Sequence, residues 1–251
     1  MRSSALTFLL IGITLASAGL AHAQVNIEKD RMRRRQSGVS GNVSLAMKLQ
    51  RGNSELTEVD FDPHFVWKEG KHQMFSINNL SFVESDQGSI VNDGFSHLRY
   101  NYQLNGWLVA EAFLQGQYDR SQDLTQRYLI GGGWRFLTVR RTDIQLAIGL
   151  SAMHEHERLV SGQTSDLIRN SDYVSFGFQP KDRFSLTATT YFQPSTKDIG
   201  DLRVLTEVAC TTSISKVVGM TSAVNYHYDS RPPAGVREYD LEFTSGFTLS
   251  F

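Results

Sequence analysis

The chain has 251 residues, of which 40% are hydrophobic and 20% are charged, and its formal net charge is −1. The near-neutral charge predicts no bulk electrostatic partner such as nucleic acid, and the single cysteine, Cys210, excludes an internal disulfide and a cysteine metal site. The length suits one domain. A mean hydropathy of −0.29 is compatible with a transmembrane barrel, because half of each strand in such a barrel faces a polar lumen.

The first residues predict a secretory signal peptide over residues 1–23. Met1-Arg2 is a short positive start, Ala5–Leu20 is an apolar run, and Ala21-His22-Ala23 is a small-x-small cleavage site. A membrane-spanning anchor is the alternative, but the run is short for a span of roughly 20 residues. The signal peptide is therefore excluded from the fold.

Residues 24–37 form a basic segment that contains the run Arg31–Arg35. Such a run often binds nucleic acid or anionic surfaces, but a periplasmic segment meets little nucleic acid. We interpret the segment as a flexible periplasmic tether. The sharper alternative is that it folds into an acidic lumen or touches anionic lipid headgroups.

From residue 38 to residue 251, period-2 alternation of apolar and polar side chains predicts twelve strands. Each segment covers the roughly 9–11 residues that a tilted strand needs to cross a bilayer. The predicted spans are 39–51, 55–68, 72–84, 94–104, 107–119, 125–137, 143–157, 167–179, 183–193, 201–214, 217–229 and 237–251. The fold prediction is all-β, a single 12-stranded antiparallel transmembrane β-barrel of the outer-membrane type.

The clearest strand is the last one. Its apolar face carries Tyr239, Leu241, Phe243, Ser245, Phe247, Leu249 and Phe251, and its other face is polar. A C-terminal strand that ends on an aromatic residue is typical of outer-membrane barrels. The third strand alternates less well, and we expect a β-bulge at Asn78-Asn79 to reconcile its two phases. The eighth alternates clearly only from Val174 to Phe178.

The connections alternate in length. Tight turns follow the even strands, among them the hairpin signal Asn105-Gly106. Longer polar loops are predicted after most odd strands, at 85–93, 120–124, 158–166, 194–200 and 230–236. Short periplasmic turns and long extracellular loops characterise outer-membrane barrels, so we expect both termini at the periplasm and the protein in the bacterial cell outer membrane.

Aromatic residues support this orientation. The three tryptophans are expected at strand ends beside the short turns, and several tyrosines at the opposite ends, as two girdles at the headgroup levels. The predicted girdle is Trp67, Trp107, Trp134, Tyr118, Tyr128, Tyr226, Tyr228 and Phe251. The alternative is that these rings stabilise strand ends in a soluble sheet.

The C-terminal two thirds resembles the salt-induced outer membrane protein family (YdiY-like), whose function is unknown. The resemblance rests on three segments: 127–137 (RYLIGGGWRFL), 146–157 (LAIGLSAMHEHE) and 226–235 (YHYDSRPPAG), the last leading into Asp240 and Phe251. It implies an outer-membrane barrel. It implies no catalytic residue, since the family has no agreed activity.

The lumen is the place to look for function. A predicted ladder of lumen charges consists of Glu111, Arg127, Arg135, Glu155, Glu157, Arg203 and Glu207. The predicted turn at 138–142 would place Arg127 near Met153 and Glu155 on the neighbouring strand. We therefore predict an Arg127–Glu155 contact. Paired charges that brace the barrel are the favoured interpretation, and a charge-selective filter is the alternative.

No catalytic residue, metal ligand or cofactor is predicted. Ser151 lies in Gly149–Met153, which departs from a nucleophile elbow because it ends in Met and sits in a strand. His154 and His156 share one strand face, but no third metal ligand is obvious. Gly131-Gly132-Gly133 lacks the helix of a phosphate loop and more plausibly eases curvature or leaves lumen space.

These observations favour a non-enzymatic barrel that acts as a narrow channel or as a structural component of the outer membrane. The expected partners are outer-membrane lipid, the barrel-assembly machinery through the strand ending at Phe251, and a small polar solute or ion. Two alternatives stay open. One is an outer-membrane lipid hydrolase, which would need a Ser/His pair with an orienting group; the other is a soluble periplasmic β-sheet binding protein.

Overall fold

A computed structural model describes residues 37–50, 56–85, 88–181, 183–215 and 218–249. The predicted signal peptide, nearly all of the basic segment 24–37, and Phe251 lie outside the described residues. Within them the chain is all-β, as the alternation predicted. The one helical element there is a 3-10 turn, Arg120–Gln122, and no described helix is long and apolar enough to cross a membrane.

The thirteen strands follow the sequence pattern closely. Twelve lie in one antiparallel path, β1 to β7 and then β9 to β13, and β8 pairs with β7 beside it. Their bounds are β1 Gly38–Gln50, β2 Leu56–Glu69, β3 His72–Ser85, β4 Gly88–Gln103, β5 Leu108–Asp119, β6 Leu124–Arg140, β7 Ile144–Leu159, β8 Thr164–Asn170, β9 Asp172–Lys181, β10 Phe184–Pro194, β11 Leu202–Ser213, β12 Val218–Asp229 and β13 Tyr239–Leu249.

The predicted eighth strand is interrupted at Ser171, which separates β8 from β9. One half of β7 pairs with β8, from Ala152↔Asn170 to Arg158↔Thr164, and the other half pairs with β9. At the break, the Ser171 N–H donates to the Ser151 carbonyl at 2.8 Å, and the Ser151 hydroxyl donates to the Ser171 carbonyl. Because the two halves together flank β7, thirteen strands occupy the twelve predicted positions.

Two predictions for the hairpin of β3 and β4 are wrong, and the first is the β-bulge in β3. The register between β3 and β4 is continuous from His72↔Tyr102 to Val83↔Val91, so there is no bulge at Asn78-Asn79. Phe75 and Ile77 instead lie on the inner face, where they pack with Val66 and Phe95. β3 is thus a regular strand with apolar residues on both faces, and those on the inner face are buried.

The predicted long loop at 85–93 is also absent. Ser85 pairs with Gly88, and β4 begins at Gly88. The polar residues of this stretch therefore extend the hairpin rather than forming an irregular connection. Polarity did not predict exposure here either, because Asp93 is only 4% exposed.

The inner face of the sheet is buried although one sheet contains all the described strands. In the described part of the chain there is no second sheet and no α-helix to cover that face, so the sheet must bend round to cover itself. The Tyr173 hydroxyl on β9 donates to Glu111 Oε2 on β5 at 2.6 Å. In a flat sheet these strands, three places apart, would stand about 14 Å apart.

The outer face carries exposed apolar side chains on nearly every strand, which we call the apolar belt. Val39 is 74% exposed and Phe243 is 67% exposed. One or two members from eleven strands illustrate its extent: Val43, Leu45, Phe61, Leu80, Leu98, Leu114, Ile130, Leu150, Val174, Phe192, Val224 and Phe243. Contiguous apolar surface of this extent marks an interaction with something other than water.

Candidate functional site

The inner face carries a group of charged side chains near the end of the sheet that bears the longer loops. We call it the arginine–carboxylate cluster. Its members are Arg127, Glu155, Glu157, Arg169, Asp201, Arg203 and Asp229. Strand alternation explains part of it, because Glu155 and Glu157 are two residues apart on β7 and therefore point the same way.

Arg203 on β11 bridges three carboxylates. Its Nη1 donates to Glu155 Oε2 at 2.5 Å, and its Nη2 donates to Glu157 Oε2 at 3.2 Å. Its Nε donates to Asp229 Oδ2 at 2.7 Å. One guanidinium thus joins β7, β11 and β12, using the planar fork of donors that lysine lacks.

Arg169 and Arg127 complete the cluster from two other strands. Arg169 Nε lies 3.2 Å from Glu155 Oε1, and its Nη2 lies 2.8 Å from Asp201 Oδ1. Arg127 Nη2 lies 2.5 Å from Glu157 Oε2, while its Nε lies 3.9 Å from Glu155 Oε2. Three guanidiniums therefore face four carboxylates, which nearly balances the buried charge.

A second group on the inner face, the tyrosine-centred cluster, lies nearer the short turns. It comprises Arg99, Glu111, Arg135, Tyr173 and Tyr191. Tyr173 accepts a hydrogen bond from Arg135 Nη1 at 3.1 Å and donates to Glu111 at 2.6 Å. Arg99 Nη1 lies 3.5 Å from Glu111 Oε2. The rings of Tyr173 and Tyr191 are 5.0 Å apart.

Gly149 makes room for the Tyr173 ring. A Cβ at Gly149 would stand 2.0 Å from Cε1 of that ring, closer than any real contact. The ring therefore lies flat against the β7 backbone, and its hydroxyl reaches across to β5. Gly131 has a similar role, since a Cβ there would meet Phe113 at 2.4 Å.

Two cavities flank these clusters. A cavity of about 620 Å³ opens toward the longer loops and includes Glu157, Arg169 and Arg203 in its lining. A cavity of about 540 Å³ opens at the short turns and includes Arg135. Between them, Glu155 is 1% and Tyr173 is 2% exposed. The two clusters therefore fill the middle of the inner face, between the two cavities.

Comparison with known proteins places the chain in a family. A family described as "Protein of unknown function, DUF481" matches residues 43–251. The chain belongs to this family. That is consistent with the resemblance to the salt-induced outer membrane proteins, and the family description assigns no activity.

Among solved structures, the chain is similar to the NanC porin in its rhombohedral crystal form. The similarity has a TM-score of 0.52 at 12% identity and covers 83% of this chain and 100% of the porin chain. At that identity the likeness shows the fold alone. A search of the curated proteins finds no match.

The predicted lumen ladder of this DUF481 chain falls largely in the two clusters. Arg127, Glu155, Glu157 and Arg203 lie in the arginine–carboxylate cluster, and Glu111 and Arg135 lie in the tyrosine-centred cluster. Glu207 lies on β11 across from Asn225 on one side and Thr189 on the other, and it is a member of neither cluster. The expected Arg127–Glu155 contact is present, with Arg127 Nε 3.9 Å from Glu155 Oε2. The residue directly across from Arg127 is Glu157, two residues beyond Glu155, because β6 continues to Arg140 and its turn therefore lies later than predicted.

Several members of the clusters were not predicted. Arg99 follows the inward phase of β4 at residues 97, 99 and 101, so alternation could have found it. Arg169 lies in β8, where alternation is weak. Asp201 and Asp229 flank or end strands, and no sequence pattern distinguishes such residues from ordinary loop carboxylates.

The described girdle residues lie on the outer face. Trp107 is 55% exposed beside the turn at 105–106, as expected. Trp134 lies well inside β6, which continues to Arg140, so it is not at a strand end. Tyr118 leans over Gly94, where a Cβ would meet its ring at 2.8 Å, and Phe251 is outside the described residues.

Ser151 and the two histidines are engaged in other contacts. The Ser151 hydroxyl donates to the Ser171 carbonyl, and its N–H donates to Asp172 Oδ1 at 3.1 Å. His156 Nδ1 lies 2.9 Å from Asp166 Oδ1, and His154 Nε2 lies 3.6 Å from it. Among the described residues, no group of three or more His, Cys, Asp or Glu is arranged to hold a metal ion.

Proposed function

We propose that this DUF481 protein is an integral, non-enzymatic β-barrel of the bacterial outer membrane that forms a narrow channel for small polar solutes or ions. In this proposal β1 and β13 close the sheet, the apolar belt faces lipid, and residues 1–23 direct export. The likeness to a porin fold, the belt and the polar inner face support it. The barrel-assembly machinery would recognise the strand that ends at Phe251.

The observation that carries the proposal is the pair of charged clusters across the middle of the inner face. Charged side chains that converge on a lumen set the ion preference of a pore. Here the guanidiniums and carboxylates largely neutralise one another, so a passing ion has to compete for paired groups. A small conductance is therefore expected, far below that of an open porin.

A sealed barrel that serves as a structural component is the second candidate. It is favoured by the 1% exposure of both Arg99 and Glu155, which leaves little room for a solute between the two cavities. Both candidates share the membrane location and differ only in whether the clusters admit ions.

Planar-bilayer recording of the mature full-length chain tests the proposal. Wild type should give a small, steady conductance. The double variant Glu155→Ala/Arg203→Ala should give a larger one, because it removes one cation and one anion together and opens space between the two cavities. If neither protein conducts, the channel proposal is wrong and the result supports the sealed barrel. Release by carbonate extraction would support a periplasmic protein, and lipid hydrolysis by refolded protein would support the hydrolase.

A further inference from the structure

The cavity at the short turns is lined by positive charge. Five of its lining residues carry ammonium or guanidinium groups: Lys68, Lys71, Arg135, Arg140 and Arg141. None of its lining residues, all within the described part of the chain, is Asp or Glu. The cavity at the opposite end differs, because Asp123, Glu157 and Asp201 line it together with arginines.

The contacts described for Lys71 and Arg140 at this mouth are made to neutral backbone oxygens. Lys71 Nζ donates to the Leu104 carbonyl at 3.3 Å, and Arg140 Nη1 donates to the Gly106 carbonyl at 3.2 Å. Carbonyl oxygens orient these two side chains without cancelling their charge. Their fields therefore add to that of Arg141 within one concave space.

We propose that this mouth is a binding site for a small multivalent anion that carries phosphate or carboxylate groups. Its volume of about 540 Å³ lies in the range of small-molecule sites, roughly 300–1,000 Å³. Guanidinium forks from Arg140 and Arg141 match the planar or tetrahedral oxygens of such groups. The site faces the periplasm if the proposed function holds, but binding itself does not depend on conduction.

Calorimetric titration of folded full-length protein in neutral detergent tests the site, with tripolyphosphate as the probe and an uncharged sugar as the blank. The anion should bind and the sugar should not. Arg140→Gln/Arg141→Gln should weaken binding by about tenfold or more, because two charge-assisted contacts are lost. Both residues are exposed, so the fold should tolerate the change, which heat-modifiable gel mobility checks.

Arg183→Gln is the matched control, because Arg183 is an exposed residue in the β9–β10 turn at the same end and does not line the cavity. It should leave the affinity unchanged. The absence of binding by wild type, or equal weakening by the control and the double variant, overturns the proposal. If wild type binds the anion but does not conduct, the channel proposal is wrong and the anion site is still supported.

Discussion

Arg203 on β11 donates a hydrogen bond to Glu155 on β7 at 2.5 Å, although β9 and β10 lie between these strands in the sheet. Side chains can meet across two intervening strands only if the sheet curves toward its inner face. The ion pair therefore joins distant parts of the sheet as well as filling the space between them.

Removing Arg203 alone should destabilise the fold strongly. Arg203→Ala leaves Glu155 and Glu157 with fewer cationic partners in a buried site, and breaking a buried ion pair costs about 3–5 kcal/mol. Urea unfolding in lipid vesicles measures the change. Glu155→Gln/Arg203→Gln should cost less than the single variant, because it removes both opposite charges together.

Arg231→Ala is the control for charge removal, since Arg231 is exposed and pairs with exposed Asp198. Its cost should stay within about 1 kcal/mol, the usual range for surface pairs. Equal costs for the two arginines would mean that the cluster contributes no more than a surface ion pair.

The close contact between Gly149 and the Tyr173 ring gives a second prediction. Gly149→Ala would place a methyl group 2.0 Å from the Tyr173 ring, so the ring must move and its contacts with Glu111 and Arg135 must break. Overpacking of this kind costs about 1–3 kcal/mol, measured by the same unfolding assay. Tyr173→Ala in the same chain should recover part of the loss by vacating the space.

Gly246→Ala serves as the comparison, because a Cβ at this strand position has nothing within 4 Å. It should be neutral or slightly stabilising, since alanine limits the unfolded chain more than glycine does. A loss as large as that at Gly149 would show that backbone effects, and not the Tyr173 ring, decide the outcome.

The apolar belt gives a prediction that separates a membrane protein from a soluble one. Leu114→Arg places a charge in the middle of the outer face, where Leu114 is 51% exposed. If lipid covers that face, the change should cost about 2–4 kcal/mol. The measurement is unfolding from lipid vesicles.

Ile199→Arg is the control, because Ile199 is 80% exposed in the loop between β10 and β11, outside the belt. Its cost should be close to zero. In a soluble protein both substitutions would be tolerated, as exposed positions usually are.

The fold could be predicted from the sequence because alternation marks strands independently of what lies on either face. β5, Leu108–Asp119, matches the span 107–119 drawn from Leu108, Ala110, Ala112 and Leu114. Prediction failed where the pattern mixed faces. Phe75 and Ile77 are apolar but lie inside, so a bulge was expected where none exists.

The site was predictable only in part, because alternation assigns a face but not a partner. It identified Glu155, Glu157 and Arg203 as inward residues. It could not show that Arg203 reaches β7, because that contact depends on how far the sheet curves. In the tyrosine-centred cluster, Glu111 and Arg135 were predicted to face inward, but the part that Tyr173 plays was missed. These two partners lie on strands that the sequence does not bring near β9.

The loop ion pair of Asp198 and Arg231 gives a pH prediction. Arg231 Nη2 lies 2.5 Å from Asp198 Oδ2, and this hydrogen bond, with a second one from the Gly200 N–H, lowers the pKa of Asp198 below its ordinary value of 3.8. A lowered pKa means that the contact is fully present above pH 3.8 and is lost as the pH falls through the folded-state pKa. Amide exchange at Gly200, whose N–H donates to Asp198 Oδ1 at 3.0 Å, should therefore stay slow at pH 3.8 and quicken only below it, after correction for the intrinsic rate. Arg231→Gln should shift that onset upward toward 3.8, and an onset that does not move would show that Arg231 has no part in holding the loop.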